Sequence, residues 1–186
     1  MPQCLKSGVP RCQQLGANSE RMVAAASEGH MNYFSIRCWS DYERITDIRK
    51  SYSSYINSVK AQLPESLKSL TGGGGSISLN DANIKHLAVS LENSTMDIVM
   101  DGKWIQGVAT GLRVFHLSYI GVTQIVSVVD PDVDGLSESG YGDHGFDEIE
   151  VLENNLYEHR MLFSSGVELR TRFRDFRLNY NDVPNP

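Results

Sequence analysis

The chain has 186 residues, of which 40% are hydrophobic, so it is long and apolar enough to form one domain with appendages. This composition excludes a chain that is disordered throughout. The formal net charge of −6 argues against a general nucleic-acid-binding protein, because phosphate binding requires an excess of lysine and arginine. The same charge permits a basic protein partner, since opposite charges steer encounter.

Three cysteines occur, at Cys4, Cys12 and Cys38, and all lie in the first fifth of the chain. Their odd number and clustering do not resemble a disulfide framework, which favours a reducing cytoplasm. No apolar run approaches the ~20 residues that span a bilayer, and the N-terminus has no apolar stretch typical of a secretory signal. We therefore expect a cytoplasmic protein that does not associate with membranes.

The chain divides by composition into an extension and one domain. Residues 1–30 are polar and show no sustained period, which predicts a flexible N-terminal extension. A single α+β domain is predicted over 31–182, with a helical part at 40–70 and a sheet part at 77–180. The Gly-Gly-Gly-Gly-Ser segment at 72–76 separates the two parts, and it has the form of both a natural flexible linker and an engineered one.

The helical part has a defined start and a candidate end. Ser40 and Glu43 have the spacing of a capping box, which predicts the N-terminus of the helix. Pro64 either ends this helix or begins a shorter one that runs to Leu70, because proline suits a first helical turn. Apolar residues at steps of three and four predict one buried face. This face comprises Tyr42, Ile45, Ile48, Tyr52, Tyr55, Ile56, Val59 and Leu63.

From Leu87 onward the apolar period changes to two, which is typical of strands. Asp101-Gly102 is a strong hairpin signal, and Gly121 marks a break between two strands. The predicted strands are Leu87–Leu91, Met96–Met100, Trp104–Tyr119, Val122–Val129, Ile149–Glu153, Leu156–Phe163 and the alternating segment Val167–Tyr180. Because short turns join antiparallel neighbours, we predict one long N-terminal amphipathic helix on one face of a mostly antiparallel, meander-like sheet of about seven strands.

The most unusual segment is acidic. Between Val114 and His159 there are ten carboxylates and not one lysine or arginine. They are Asp130, Asp132, Asp134, Glu138, Asp143, Asp147, Glu148, Glu150, Glu153 and Glu158. Five of them lie in the glycine-rich stretch from Asp130 to Gly145. A polar connection of this length is uncommon in compact domains, which points towards a function.

Three interpretations of this acidic loop are open. First, Asp130, Asp132 and Asp134 followed by Gly135 match the front half of a calcium loop, although Tyr141 stands where such a loop has its bidentate glutamate. A looser calcium-like site, or a small metal-dependent enzyme built on the loop, would follow from this match. Second, the loop presents charge to a protein partner. Third, it is a solvated strand connection in a domain with a structural role.

The partner-binding interpretation rests on aromatic residues among the charges, which is a common composition of binding hot spots. The predicted partner-binding residues are Asp134, Glu138, Tyr141, Asp143, Phe146, Asp147 and Glu148. We predict no catalytic residue. His144 beside Asp143 is a metal ligand or general base in one interpretation and an ordinary loop histidine in the other.

Arginines near the C-terminus offer counter-charges to part of the acidic segment. Arg170 and Arg172 occupy alternate strand positions together with Arg174, so all three share one face of a strand. We expect that they either face water or pair with neighbouring strands, and the negative net charge disfavours the alternative of an RNA-binding surface. The candidate partners for pairing are Glu148, Glu150 and Glu158.

The segment Leu79-Asn80-Asp81-Ala82-Asn83-Ile84, followed by two predicted strands, resembles a Leu-His-Asp-Ala-x-Ile or -Val signature of small bacterial sheet proteins. These proteins include uncharacterised domains and immunity proteins of polymorphic toxin systems, and Asn80 here replaces their histidine. The resemblance implies a non-enzymatic cytoplasmic protein that binds and blocks a basic toxin. The same segment also suits a strand-opening turn in which Asp81 bonds nearby amides and Ala82 packs tightly.

Overall fold

A computed structural model of the chain describes residues 31–71, 77–106, 109–129 and 140–184. The predicted extension at 1–30, the linker at 72–76 and most of the acidic loop therefore lie outside the described residues. The helices are α1 (Tyr42–Val59) and α2 (Glu65–Lys68), with 3-10 turns at Ile36–Trp39, Lys60–Gln62 and Glu153–Asn155. The strands are β1 (Asn83–Ser90), β2 (Thr95–Gln106), β3 (Ala109–Ile120), β4 (Gln124–Val129), β5 (His144–Val151), β6 (Tyr157–Phe163), β7 (Val167–Phe173) and β8 (Asp175–Pro184).

The predicted class, α+β with antiparallel sheet, is confirmed, but the single sheet of about seven strands is wrong. The eight strands described form two four-stranded sheets, in the orders β1-β2-β3-β8 and β4-β7-β6-β5, and the pairings are antiparallel. Each sheet contains one three-strand meander and receives its fourth strand by a crossover. Apolar residues from both sheets fill the interior, as expected when two half-buried faces pack together.

The hairpin predicted at Asp101-Gly102 is a second correction. Strand β2 continues through both residues, and Gly102 pairs with Arg113 of β3. The glycine has a packing role here, because a Cβ at Gly102 would lie 3.1 Å from the Cβ of the fully buried Ala82. The segment predicted as one strand, Trp104–Tyr119, is consequently the end of β2 and most of β3.

The helical part is interrupted, and α1 is not the first element of the fold. A 3-10 turn precedes it, and its N-cap is Asp41, whose side chain accepts a hydrogen bond from the Arg44 amide, rather than the predicted Ser40. Of the two alternatives at Pro64, the start of a shorter helix is confirmed, since this residue directly precedes α2, although α2 ends at Lys68 and not at Leu70. The buried residues of the helical part are Ile45, Tyr52, Ile56, Leu63, Leu67 and Leu70.

Helix α1 lies along β5, the edge strand of the second sheet. The Ile149 amide donates to the Tyr52 hydroxyl at 2.6 Å, and the Val151 amide donates to the Tyr55 hydroxyl at 3.0 Å. The two tyrosines are three residues apart and so lie on one face of the helix, while alternate amides of an edge strand point away from its sheet. The helix thereby satisfies an edge that would otherwise be open.

Within the described ranges, no helix combines the length and the apolar character needed to cross a bilayer. Cys38 is buried and forms no disulfide, whereas Cys4 and Cys12 lie outside the described residues.

Candidate functional site

The structure divides the acidic segment into parts with different surroundings. Asp130, Asp132, Asp134 and Glu138 lie outside the described residues, so the calcium-like site and two of the seven predicted partner-binding residues, Asp134 and Glu138, stay predictions. The description resumes at Gly140, and β5 begins at His144, which places the end of the predicted loop in a strand.

Tyr141 and Asp143 are held in fixed positions at the surface. The Tyr141 ring meets Phe163 edge-on with centroids 5.2 Å apart and is half-buried. The exposed Asp143 accepts a hydrogen bond from the Asn83 side chain at 2.9 Å. Its amide donates to the Ser164 hydroxyl at 2.9 Å, and its carbonyl accepts from the Ser164 amide at 2.8 Å.

Gly142 allows this arrangement for two reasons. Its φ of +75° lies in the left-handed region that side chains with a Cβ rarely adopt. A Cβ at this position would also collide with the Ser164 hydroxyl, which is the group that fixes Asp143. The end of the acidic loop is therefore a turn with a defined backbone conformation, which Gly142 allows and Ser164 holds.

Phe146 and Glu148, in contrast, do not belong to an exposed partner-binding surface. Phe146 is 8% exposed and Glu148 is 3% exposed. The Phe146 ring stacks on Phe34 at a centroid distance of 4.9 Å. This finding corrects the prediction for both residues, and its physical reason is that alternate β5 residues point towards the segment Met31–Phe34, which covers them.

Glu148 is a structural anchor for that segment. Its carboxylate accepts hydrogen bonds from the amides of Asn32 at 2.8 Å, Tyr33 at 2.6 Å and Phe34 at 2.8 Å. Burial raises the pKa of Glu148, and the three amides act in the opposite direction because they stabilise the carboxylate. The Met31 amide similarly donates to Glu168 at 3.0 Å.

Of the two alternatives for the arginines of β7, pairing with carboxylates of a neighbouring strand is confirmed for Arg170 and Arg172, which both approach Glu158. Two cross-strand rows run over β5, β6 and β7: Glu148, Arg160, Arg170 and then Glu150, Glu158, Arg172. Glu158 is fully buried, and its carboxylate binds the guanidinium of Arg160 at 2.5 Å and that of Arg172. Arg174 does not join this network and instead approaches the Asn154 carbonyl at 3.5 Å.

Arg160 is the member of the network that sequence reasoning missed. Besides Glu158, it binds Glu150 at 2.8 Å and approaches Glu148 at 3.8 Å. Its position two residues after Glu158 in a predicted strand places both side chains on one face, which is the signal that could have identified it.

A second polar cluster lies on the opposite face of the same strands. His144 Nε2 is 4.0 Å from one oxygen of Asp147, and His159 Nε2 is 3.8 Å from the other. The Tyr119 hydroxyl lies 2.8 Å from His159 Nδ1, a hydrogen bond that orients this imidazole. Both histidines are buried, whereas Asp147 is partly exposed.

The chemistry of this cluster is limited by its distances and by burial. Gaps of 3.8 and 4.0 Å exceed a hydrogen bond, so Asp147 and the two histidines do not form a connected proton-transfer chain. Burial lowers the pKa of His144 to about 4, with Asp147 acting in the opposite direction, so its imidazole is neutral at pH 7. Among the residues described, no group of three or more His, Cys, Asp or Glu is arranged to hold a metal ion.

The segment Leu79–Ile84 lies directly beside Asp143. The Asp81 amide donates to the His144 carbonyl at 2.8 Å, and the His144 amide donates to the Ala82 carbonyl at 2.8 Å. With the bridge between Asn83 and Asp143, these bonds join β1 of the first sheet to the start of β5 in the second. The expected tight packing of Ala82 is confirmed, since the residue is fully buried.

Comparison with protein-family models gives no match to this chain, and a search of curated proteins likewise finds none.

Proposed function

We propose that this chain is a non-enzymatic protein-binding protein that takes a basic partner through an acidic surface. The surface comprises Tyr141, Asp143 and Asp147 together with the acidic residues of the adjoining segment, Asp130 to Glu138. The specific candidate is an immunity protein that neutralises a basic toxin.

This proposal rests on the difference between the carboxylates that are engaged inside the domain and those that are not. Glu148, Glu150 and Glu158 are engaged by arginines or backbone amides inside the domain. Asp143, by contrast, is exposed, and its carboxylate accepts a hydrogen bond from the neutral amide of Asn83. The four carboxylates of 130–139 have no lysine or arginine in that segment to neutralise them. An acidic surface of this kind accelerates encounter with a basic partner.

The fixed geometry at Asp143 also supports binding. Ordering a side chain or loop on binding costs free energy, and groups that are already held avoid this cost. Tyr141 rests on Phe163, and the Asp143 backbone is held on both sides by Ser164. A half-buried aromatic ring beside an exposed carboxylate suits a hot spot for a lysine- or arginine-rich surface.

The toxin as partner class comes from the resemblance at Leu79–Ile84. This signature segment and the acidic surface are neighbours, because Asn83 bonds Asp143 and Asp81 bonds the His144 backbone. The segment that resembles the immunity-protein signature therefore lies next to Asp143, which we propose to be one of the charges that bind a basic toxin.

The experiment is co-expression of the chain with the product of the neighbouring gene, followed by co-purification and measurement of association rates. Asp143→Asn removes the charge and keeps an oxygen that can accept the Asn83 hydrogen bond. We expect slower association for this variant and no change for Glu92→Gln, an exposed control in the turn at the far end of β1. A neighbouring product that does not bind the chain would contradict the immunity role, and equal rates for both variants would remove Asp143 from the interface.

A further inference from the structure

The two sheets have four edge strands, and three of them carry features that block pairing with another chain. Strand β5 is covered by the hydroxyls of Tyr52 and Tyr55. Strand β1 has a register irregularity between Ile84 and His86, with the exposed Lys85 inside it. Strand β8 is interrupted by charges and ends in proline, namely at Asp175, Arg177, Asp182 and Pro184. Helix cover, bulges, charges and proline are the usual protections of sheet edges.

Strand β4 has none of these features. Its sequence, Gln124-Ile-Val-Ser-Val-Val129, contains no charged residue and no proline, and its pairing with β7 is regular throughout. Ile125 is 36% exposed and Val129 is 46% exposed, and both point to the same face. Within the part of the chain that the structure describes, this edge therefore combines β-branched side chains that are partly exposed with backbone groups that no other strand pairs.

We propose that β4 pairs with β4 of a second copy of this chain, in antiparallel orientation about a two-fold axis at Ser127. In this register, Ile125 lies opposite Val129 of the second copy, and Val126 lies opposite its Val128. Each exposed apolar side chain meets an apolar counterpart, and serine meets serine at the axis. The β4-β7-β6-β5 sheet of one copy and the same sheet of the second copy then form one continuous sheet of eight strands.

A second copy fits this edge because two-fold pairing brings the same short segment against itself. Any charge near the axis would face its own copy and repel it, and β4 is the one described edge strand with no charge. The contact is self-complementary and closes at two chains, since the other described edges are protected. The interface is separate from Asp143, which adjoins β5 at the opposite edge of the same sheet, whereas Asp130 directly follows β4 in the sequence.

The expected dimer is weak. Five residues of each copy, Ile125 to Val129, pair within β4 in this register and span about 17 Å, which is short for an interface between stable partners. We therefore expect a monomer–dimer equilibrium in the micromolar range, visible by sedimentation equilibrium of the full chain over a series of concentrations. Amide exchange in β4 should slow as the chain concentration rises.

Charge substitutions at the axis test the register. Ser127→Lys and Ser127→Glu each place like charges opposite one another, and each should weaken self-association about fivefold or more. An equimolar mixture of the two variants should restore or exceed wild-type association, because lysine then faces glutamate. Far-ultraviolet circular dichroism and melting temperature establish that both variants are folded.

A matched pair of valines supplies the control. Val129→Lys in β4 should weaken self-association, whereas Val183→Lys in β8 should not, although the two side chains are similarly exposed at 46% and 49%. A chain that remains monomeric up to millimolar concentration would overturn the proposal and leave β4 open to a strand of another protein. Dimers that persist in both Ser127 variants, or a mixture that gains nothing, would also overturn it.

Discussion

At the residue scale, the described part of this domain is distinguished by charges inside it. Glu158 is fully buried, and Arg160 is nearly so. Burying an ion costs free energy unless interactions with its partners compensate for the lost hydration. Here each carboxylate has at least one arginine or backbone amide against it, so the alternating charges of β6 and β7 serve the fold rather than a partner.

We predict that Glu158→Gln destabilises the domain by about 3–5 kcal/mol, because it leaves buried guanidinium groups without their counter-charge. Equilibrium unfolding in urea measures the difference. Glu153→Gln is the control, since this residue is exposed in the turn between β5 and β6 and should change the free energy of unfolding by under about 0.5 kcal/mol. Similar small losses for both variants would mean that the network adds little to stability.

His144 should make stability depend on pH. Burial lowers its pKa to about 4 from the ordinary 6.5, so the unfolded chain takes up a proton at a higher pH than the folded chain. Stability is therefore retained above pH 6.5 and falls as the pH drops towards 4, by about 3 kcal/mol from this group. The measurement is urea unfolding at several pH values for wild type, His144→Gln and the exposed control His86→Gln.

The comparison with variants is necessary because Glu168 and His144 have opposite effects on stability as the pH falls. Burial raises its pKa to about 7, so the folded chain binds a proton first and gains stability as the pH falls. The wild-type profile contains both effects, whereas the difference between wild type and His144→Gln isolates the histidine. A difference that stays constant from pH 7 to pH 4 would contradict the assigned role of His144.

At the element scale, the main contact is that of α1 with the edge of β5. Two tyrosines on one helical face accept the outward amides of Ile149 and Val151. The helical period identified both tyrosines as members of the buried face. It could not show that their hydroxyls end on a strand about a hundred residues later, because spacing in sequence carries no information about the partner element.

We predict that Tyr52→Phe costs about 1–3 kcal/mol, since it leaves the buried Ile149 amide without an acceptor. Tyr55→Phe should cost less, because the half-buried Val151 amide can turn to water. Hydrogen exchange of the Ile149 amide, alongside thermal unfolding, measures the effect. Tyr180→Phe is the control at an exposed position. Equal losses of stability at Tyr52 and Tyr180 would contradict a stabilising hydrogen bond between the Ile149 amide and the Tyr52 hydroxyl.

The turn that carries Asp143 provides a further prediction. Gly140 and Gly142 both have positive φ, but a Cβ at Gly140 meets nothing within 4 Å, whereas one at Gly142 collides with the Ser164 hydroxyl. Gly140→Ala should therefore cost only the backbone strain, about 1 kcal/mol, and Gly142→Ala should cost more. Chemical unfolding measures both losses, and a smaller loss at Gly142 would show that Ser164 does not fix the turn.

At the scale of the whole molecule, alternating apolar residues were enough to predict most strands, the helix and the class. The division into two sheets was not predictable, because sequence order shows which strands are hairpin neighbours but not where β4 and β8 cross over. Gly102 misled the hairpin prediction because glycine serves tight packing as well as turns. Glu148 and Phe146 were assigned to a surface because the segment that buries them, Met31–Phe34, lies more than a hundred residues away.

The same scale bears on function, since the fold places Asp143 and the open edge β4 at opposite edges of the second sheet. A basic partner at Asp143 and a second copy at β4 can therefore bind together. We predict that Ser127→Lys leaves the affinity for the basic partner unchanged while it weakens self-association. Titration calorimetry of the variant measures the affinity, and a parallel loss of both interactions would show that the two surfaces are coupled.

The proposed function is tested most directly by the affinity of the chain for the neighbouring gene product as a function of salt. Binding through an acidic surface requires tight association at low ionic strength and a steep loss at high ionic strength, because salt screens exposed charges. Asp143→Asn should reduce that slope, whereas Glu92→Gln should leave it unchanged. Absence of binding at low salt, or an affinity that does not respond to salt, would contradict the account.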